Sequence, residues 1–190
     1  MMQKGLSLIE ILIAMSIAVV IGALLVVIII NSAGLYSKQS SKLSEGLNIN
    51  DALSQVRVSI KDASAVVAAY TYGSTTYTSG ATQLVLKVAS IDSSNNIIAD
   101  TFDYFIFFLD QNKLRFKTFP NLVSLRKAQD QIFSTSVEGL VFKYFNGANP
   151  PVEVTPNTAT KVRISLTLKQ KNGVNYESSS ATSEASLRND

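Results

Sequence analysis

Residues 4–30 read KGLSLIEILIAMSIAVVIGALLVVIII, and a single carboxylate, Glu10, interrupts an otherwise apolar run. From Leu6 to Ile30 Glu10 is the only charged residue, and Ile11–Ile30 holds nothing more polar than Ser16. About 20 apolar residues rise about 30 Å as a helix, the thickness of a bilayer's hydrocarbon core. A carboxylate at that depth costs about 2–3 kcal/mol and calls for a named partner. Lys4 precedes the run and the next basic residue is Lys38. That asymmetry predicts a cytoplasmic leader and an external C-terminal bulk. A secretory signal has a shorter apolar region ending in a small-residue cleavage pattern, which this run lacks. A plain signal anchor leaves Glu10 unexplained.

The 190 residues suffice for one membrane helix plus a small domain. The remainder is rich in Ser, Thr, Asn, Val and Tyr, polar enough for water and apolar enough for a modest core. The net charge of +3 demands no nucleic-acid partner. The chain has no Cys and no His. Disulfides, thiolate metal sites, the commonest general base and the Cys-His and Ser-His nucleophile pairs are thereby removed.

Beyond Ile30 the helical pattern continues. Ile49, Leu53, Val56, Ile60, Ala63 and Val67 alternate in steps of four and three, a one-sided stripe that predicts a helix to about Val67. Gly34 and Gly46 each cost about 1 kcal/mol of helix propensity and mark bends. After Ala69 the composition turns to strand and turn. Thr71–Thr82 reads as a loop, Gln83–Ile91 as a strand, and Ser93–Asn96 as a turn. Phe102–Leu109 suits a buried strand joined through Asp110-Gln111-Asn112 to Lys113–Phe119. Val137–Phe145 and Val162–Lys169 are further strands, with Ile164, Leu166 and Leu168 inward. Lys171-Asn172-Gly173-Val174 is a hairpin signal leading to a last strand from Asn175, and prolines confine residues 146–157 to an exposed loop. The fold class is α+β: one long helix, membrane half first, followed by antiparallel strands.

Lys4-Gly5-Leu6-Ser7-Leu8-Ile9-Glu10 with the apolar helix behind it resembles the prepilin leader of type IV pilins and type II secretion pseudopilins. The resemblance implies a prepilin peptidase that cuts between Gly5 and Leu6 and methylates the new amine on Leu6. Glu10 then becomes the fifth mature residue. Leu6 stands where most members have Phe. Val27 stands where many have Pro, leaving Gly22 as the weaker helix break. In staggered helices the amine of one subunit lies beside the carboxylate of its neighbour. A buried pair costs far less than either lone charge, so Glu10 sets assembly register. FIFFLDQNKLRFKTFP (105–120), VEGLVFKYF (137–145) and KVRISLTLKQKNG (161–173) are similar to strands of J-type minor pseudopilins and W-type minor pilins, and ATSEASLRN (181–189) resembles the end of many prepilin-like proteins. The resemblance implies a pilin-like ladle: leader 1–5, membrane and assembly helix 6–30, amphipathic helix 31–69 and β-rich domain 70–190. It implies major and other minor pilins or pseudopilins and an inner-membrane assembly platform as partners. The location would be single-pass in the cytoplasmic membrane, then a periplasmic or surface filament.

The sequence also bears on three other chemistries. Lys113, Arg115 and Lys117 share one strand face, and Lys161, Arg163, Lys169 and Lys171 line another, a candidate basic surface for DNA phosphates. Aromatic partners such as Phe116 fall mostly on the opposite parity, which favours a solvated face. Asp92, Asp100 and Asp103 match no dense oxygen-ligand loop, so no metal or cofactor is expected. No motif brings Ser and Lys together as a dyad, and no enzyme activity is expected. The leading expectation is a structural filament subunit, and the alternative is a membrane-anchored adhesin or DNA-uptake module.

Overall fold

A computed structural model describes residues 8–172 and 175–188. Helix α1 spans Leu8–Asp62. The strands follow as β1 Ala63–Val66, β2 Ala69–Tyr72, β3 Thr75–Thr78, β4 Gln83–Ile91, β5 Ile97–Asp110, β6 Lys113–Phe119, β7 Gln129–Ser134, β8 Val137–Phe145, β9 Lys161–Asn172 and β10 Asn175–Ser186. A five-stranded sheet has the order β1-β4-β5-β6-β7, a three-stranded sheet the order β10-β9-β8, and β2-β3 form a separate ribbon. All pairings are antiparallel, so the fold is α+β. The chain divides into two compact units between Leu43 and Ser44.

The first unit holds the apolar segment. Leu8–Ala33 has a mean hydropathy of 3.2 and is long and apolar enough to cross a membrane. Ser16 donates its hydroxyl to the Leu12 carbonyl one turn back, at 2.9 Å, so the lone hydroxyl is satisfied within the helix. The helix is unbroken through Gly34 and Gly46.

The second unit builds one core from three faces. Ile49, Leu53, Val56 and Ile60 are buried, as the stripe predicts. They share a cluster with Leu84, Leu86, Phe107 and Phe116 of the five-stranded sheet and with Phe142, Val162, Ile164 and Leu166 of the three-stranded sheet. The Tyr144 hydroxyl reaches the Gly80 and Gln83 carbonyls at 2.8 and 3.0 Å, and the Phe142 N–H donates to Ala81 O, so β8 is tied to the start of β4. Burial pushes the Tyr144 phenol well above its ordinary pKa.

Four expectations need correction. The helix ends at Asp62, not near Val67, because Ala63–Val66 leaves the helix to pair with β4, Val66 opposite Leu86. Sheet pairing gives that backbone its hydrogen bonds, and Val66 rather than Val67 is buried. The expected loop 71–82 contains most of a hairpin, with Tyr70 opposite Tyr77 and Tyr72 opposite Thr75. Its turn needs Gly73, whose φ is +61°. Strand β5 starts at Ile97, five residues before Phe102, because Ile91 pairs with Ile97 across the 92–96 turn. Strand β7 was not foreseen. QDQIFS is a polar edge strand with little alternation, and its pairing with β6 is what orders it. The last hairpin forms with Asn172 opposite Asn175, while its turn residues 173 and 174 lie outside the described residues.

Candidate functional site

The sequence places one candidate site at the start of α1. Lys4, Gly5 and Leu6 lie outside the described residues. Glu10 sits in the first helical turn, where the positive end of the helix dipole favours a carboxylate. Ala14, Ala18 and Gly22 follow it at steps of four, on the same helix face. A shallow hollow lined by Glu10, Ile11, Ala14, Met15 and Ala18 opens on that face. Small side chains in line let a second helix approach closely, the usual way helices meet in lipid. This seam was legible in the sequence as E-x-x-x-A-x-x-x-A-x-x-x-G.

The candidate basic surface is largely balanced by carboxylates. Arg115 reaches Asp110 at 2.8 Å and Asp130 at 2.7 Å, and Lys117 lies 3.5 Å from Asp130. Hydrogen bonds from Arg115, ahead of the opposing effect of burial, hold the Asp130 carboxyl below the ordinary range. Asp130 and then Asp110 raise the Arg115 guanidinium in return. Lys113 stands opposite Asp110 in the β5–β6 backbone register. Lys161 and Arg163 share Glu184 at 3.1 and 2.8 Å, and Lys169 reaches Glu138 at 3.2 Å. Glu184 is lowered chiefly by Arg163, and Glu138 first by the Ser178 hydroxyl and then by Lys169. The side chain of Lys171 is outside the described set. Aromatic rings are not confined to the buried parity: Phe108 lies 5.8 Å from both Arg115 and Lys117, on their own face.

Sequence reasoning missed the most buried charge among the described residues. Asp103 is fully buried and pairs with Arg126 at 2.7 Å. Its oxygens also accept from the Ser90 and Ser124 hydroxyls and the Asn121 N–H, each at 2.8 Å. Burial alone would raise this carboxyl, but the four donors outweigh it and hold its pKa below the ordinary carboxylate value. Arg126 also donates to the Ala89 carbonyl and lies over Phe105. The cluster fastens residues 121–126 to β4 and β5. An Asp set between aromatic residues, FDYF (102–105), was its one sequence signal. Asp92 instead caps its own turn, accepting from the Ser94 and Asn96 N–H groups. Among the described residues, no three His, Cys, Asp or Glu side chains converge as a metal site would require.

No protein-family model matches the chain, and none of the curated proteins is significantly similar to it.

Proposed function

We propose that this chain is a minor pilin or pseudopilin, a structural subunit of a type IV pilus or type II secretion pseudopilus. The observation that carries the reading is Glu10 on an exposed apolar helix, Leu8–Ala33, in line with Ala14, Ala18 and Gly22. A soluble protein gains nothing from such a face, whereas a helical filament needs it for close packing. In this reading prepilin peptidase cuts after Gly5, Leu6 carries the methylated amine, and Glu10 of one subunit meets the Leu6 amine of the next. The pair cannot form before cleavage, because no amine exists at Leu6 until then. Register is therefore tested only among processed subunits. The long helix leading into antiparallel sheets supports a ladle-like subunit held first in the cytoplasmic membrane and then in a filament.

The ion pairs of β6 and β9 favour this role over DNA uptake. Phosphate binding draws on uncompensated cations, and Arg115, Lys117, Lys161, Arg163 and Lys169 each have a carboxylate within 3.5 Å. No catalytic role is assigned.

The test is processing scored together with assembly. Mass spectrometry of membrane and filament fractions should find mature chains beginning at Leu6. Glu10→Ala should be inserted and cleaved normally, because removing the carboxylate makes insertion cheaper by about 2 kcal/mol. It should nonetheless fail to co-purify with the other subunits. Glu10→Gln should fail as well, and Glu10→Asp should be intermediate. Mature chains that retain Met1, or a cleaved Glu10→Ala that co-assembles as well as wild type, would overturn the proposal.

A further inference from the structure

An aromatic cleft lies between the β2–β3 ribbon and the β6–β7 edge of the five-stranded sheet. Its volume is about 410 Å³, within the ordinary span of small-ligand sites. One wall is aromatic. Tyr72 and Tyr77 lie against Phe119 with ring centroids 4.7 and 5.5 Å apart and planes tilted by 40° and 46°. Tyr72 keeps 60% of its surface open to solvent. Lys117, Gln129 and Asp130, with an ammonium, an amide and a carboxylate among their side chains, also line the cleft and form its polar wall.

The ribbon has a reason to hold those rings in place. Tyr70 stacks on Tyr104 at 3.9 Å, which fixes the hairpin on the outer face of the sheet. The polar wall is fixed as well, because Arg115 grips both oxygens of Asp130 from Nε and Nη2 at 3.2 and 2.7 Å. A site whose rings and polar groups are set before binding loses little ordering entropy when a ligand arrives.

From this geometry we propose that the cleft binds a neutral carbohydrate chain, with a sugar ring on Tyr72 and its hydroxyls on Lys117, Gln129 and Asp130. Three observations choose this ligand. The charges at the polar wall cancel, two cations (Arg115, Lys117) against two carboxylates (Asp110, Asp130), so a polyanion gains no counterion-driven affinity. The wall offers both donors and an acceptor, which suits hydroxyls because each can donate and accept. A polyproline helix has no N–H groups, so its carbonyls could accept from Lys117 and Gln129 but it would leave the Asp130 carboxylate unanswered. The aromatic wall supplies the apolar platform that the C–H face of a sugar needs. The inference does not depend on the role assigned to Glu10.

The test uses the full chain in micelles of a detergent without a sugar headgroup. Cello-, malto-, manno- and chitohexaose are titrated by calorimetry beside a proline decamer and a single-stranded DNA 20-mer. At least one hexasaccharide should bind saturably. Tyr72→Ala should weaken that binding about tenfold, the loss expected for an aromatic anchor. Gln129→Leu should weaken it too, through the lost amide. Tyr176→Ala, at an exposed tyrosine on β10 outside the cleft, should leave it unchanged, and unaltered melting of each variant shows that the fold is kept. No binding by any of the four sugars would overturn the proposal. So would binding of the proline decamer or the DNA alone, or sugar binding that survives Tyr72→Ala.

Discussion

Asp103 and Arg126 decide how the segment after β6 is held. The carboxylate is fully buried while the guanidinium side chain keeps 23% of its surface, so the pair is wet at one end. Asp103→Asn keeps the shape but leaves Arg126 without its charge partner, and should cost about 3 kcal/mol at neutral pH. Urea unfolding of the full chain in micelles measures this. The pH dependence follows from the lowered pKa. A carboxyl whose folded value lies below its unfolded value stabilises fully above the unfolded value, and the contribution is lost as pH falls through the folded one. Wild-type stability should therefore fall as pH drops below about 4, and Asp103→Asn should show a shallower fall there. Equal slopes for the two proteins would contradict the assignment. Asp130 and Glu184 are also lowered, but their exposure to solvent makes their share small.

Helix α1 changes character along its length, and its elements are stabilised differently. In the second unit only one face is covered: Val56 and Ile60 are fully buried whereas Val58 is 52% exposed. Ile60→Ala should cost about 3 kcal/mol, because it removes apolar surface and leaves a cavity against the sheets. Val58→Ala should change stability by less than about 0.5 kcal/mol. Thermal unfolding followed by circular dichroism separates the two, and similar losses would mean that the covered face is misassigned. The stripe was legible because burial on one side of a helix imposes a 3.6-residue period. The β2–β3 ribbon was not, because only its Tyr70, Tyr72 and Tyr77 side of the ribbon meets other rings, and Tyr/Thr-rich sequence between turns also describes a loop. Among the strands, β4, β6 and β8 match their sequence-based bounds, and β6 alternates strictly between buried and half-buried positions. Strand β7 has no such alternation.

At the scale of the whole molecule, the division between Leu43 and Ser44 means that the second unit contains its own core. A fragment from Ser44 onward should be soluble and monomeric, with both helical and sheet signals in the far ultraviolet. Sedimentation and circular dichroism check this, and aggregation or a spectrum without helix would contradict it. The boundary falls within the helix, some distance beyond the apolar segment that ends at Ala33. The last turns of α1 and strand β1 both contribute to the core of the β-rich unit.

Local chemistry was enough to determine the apolar helix, the position of Glu10, the α+β class and most strands. Each follows from a repeating pattern, or from a charge whose cost does not depend on distant partners. Tertiary structure decided where the helix yields to β1, that residues 69–78 form a ribbon, and that β7 exists. It also decided which carboxylates Arg115, Lys117, Lys161, Arg163 and Lys169 meet, and that Asp103 is a buried anchor. The cleft between Tyr72, Phe119 and Asp130 belongs to this second group. Its walls come from residues tens of positions apart, and no local period encodes a site that exists only once the ribbon and the sheet edge are brought together.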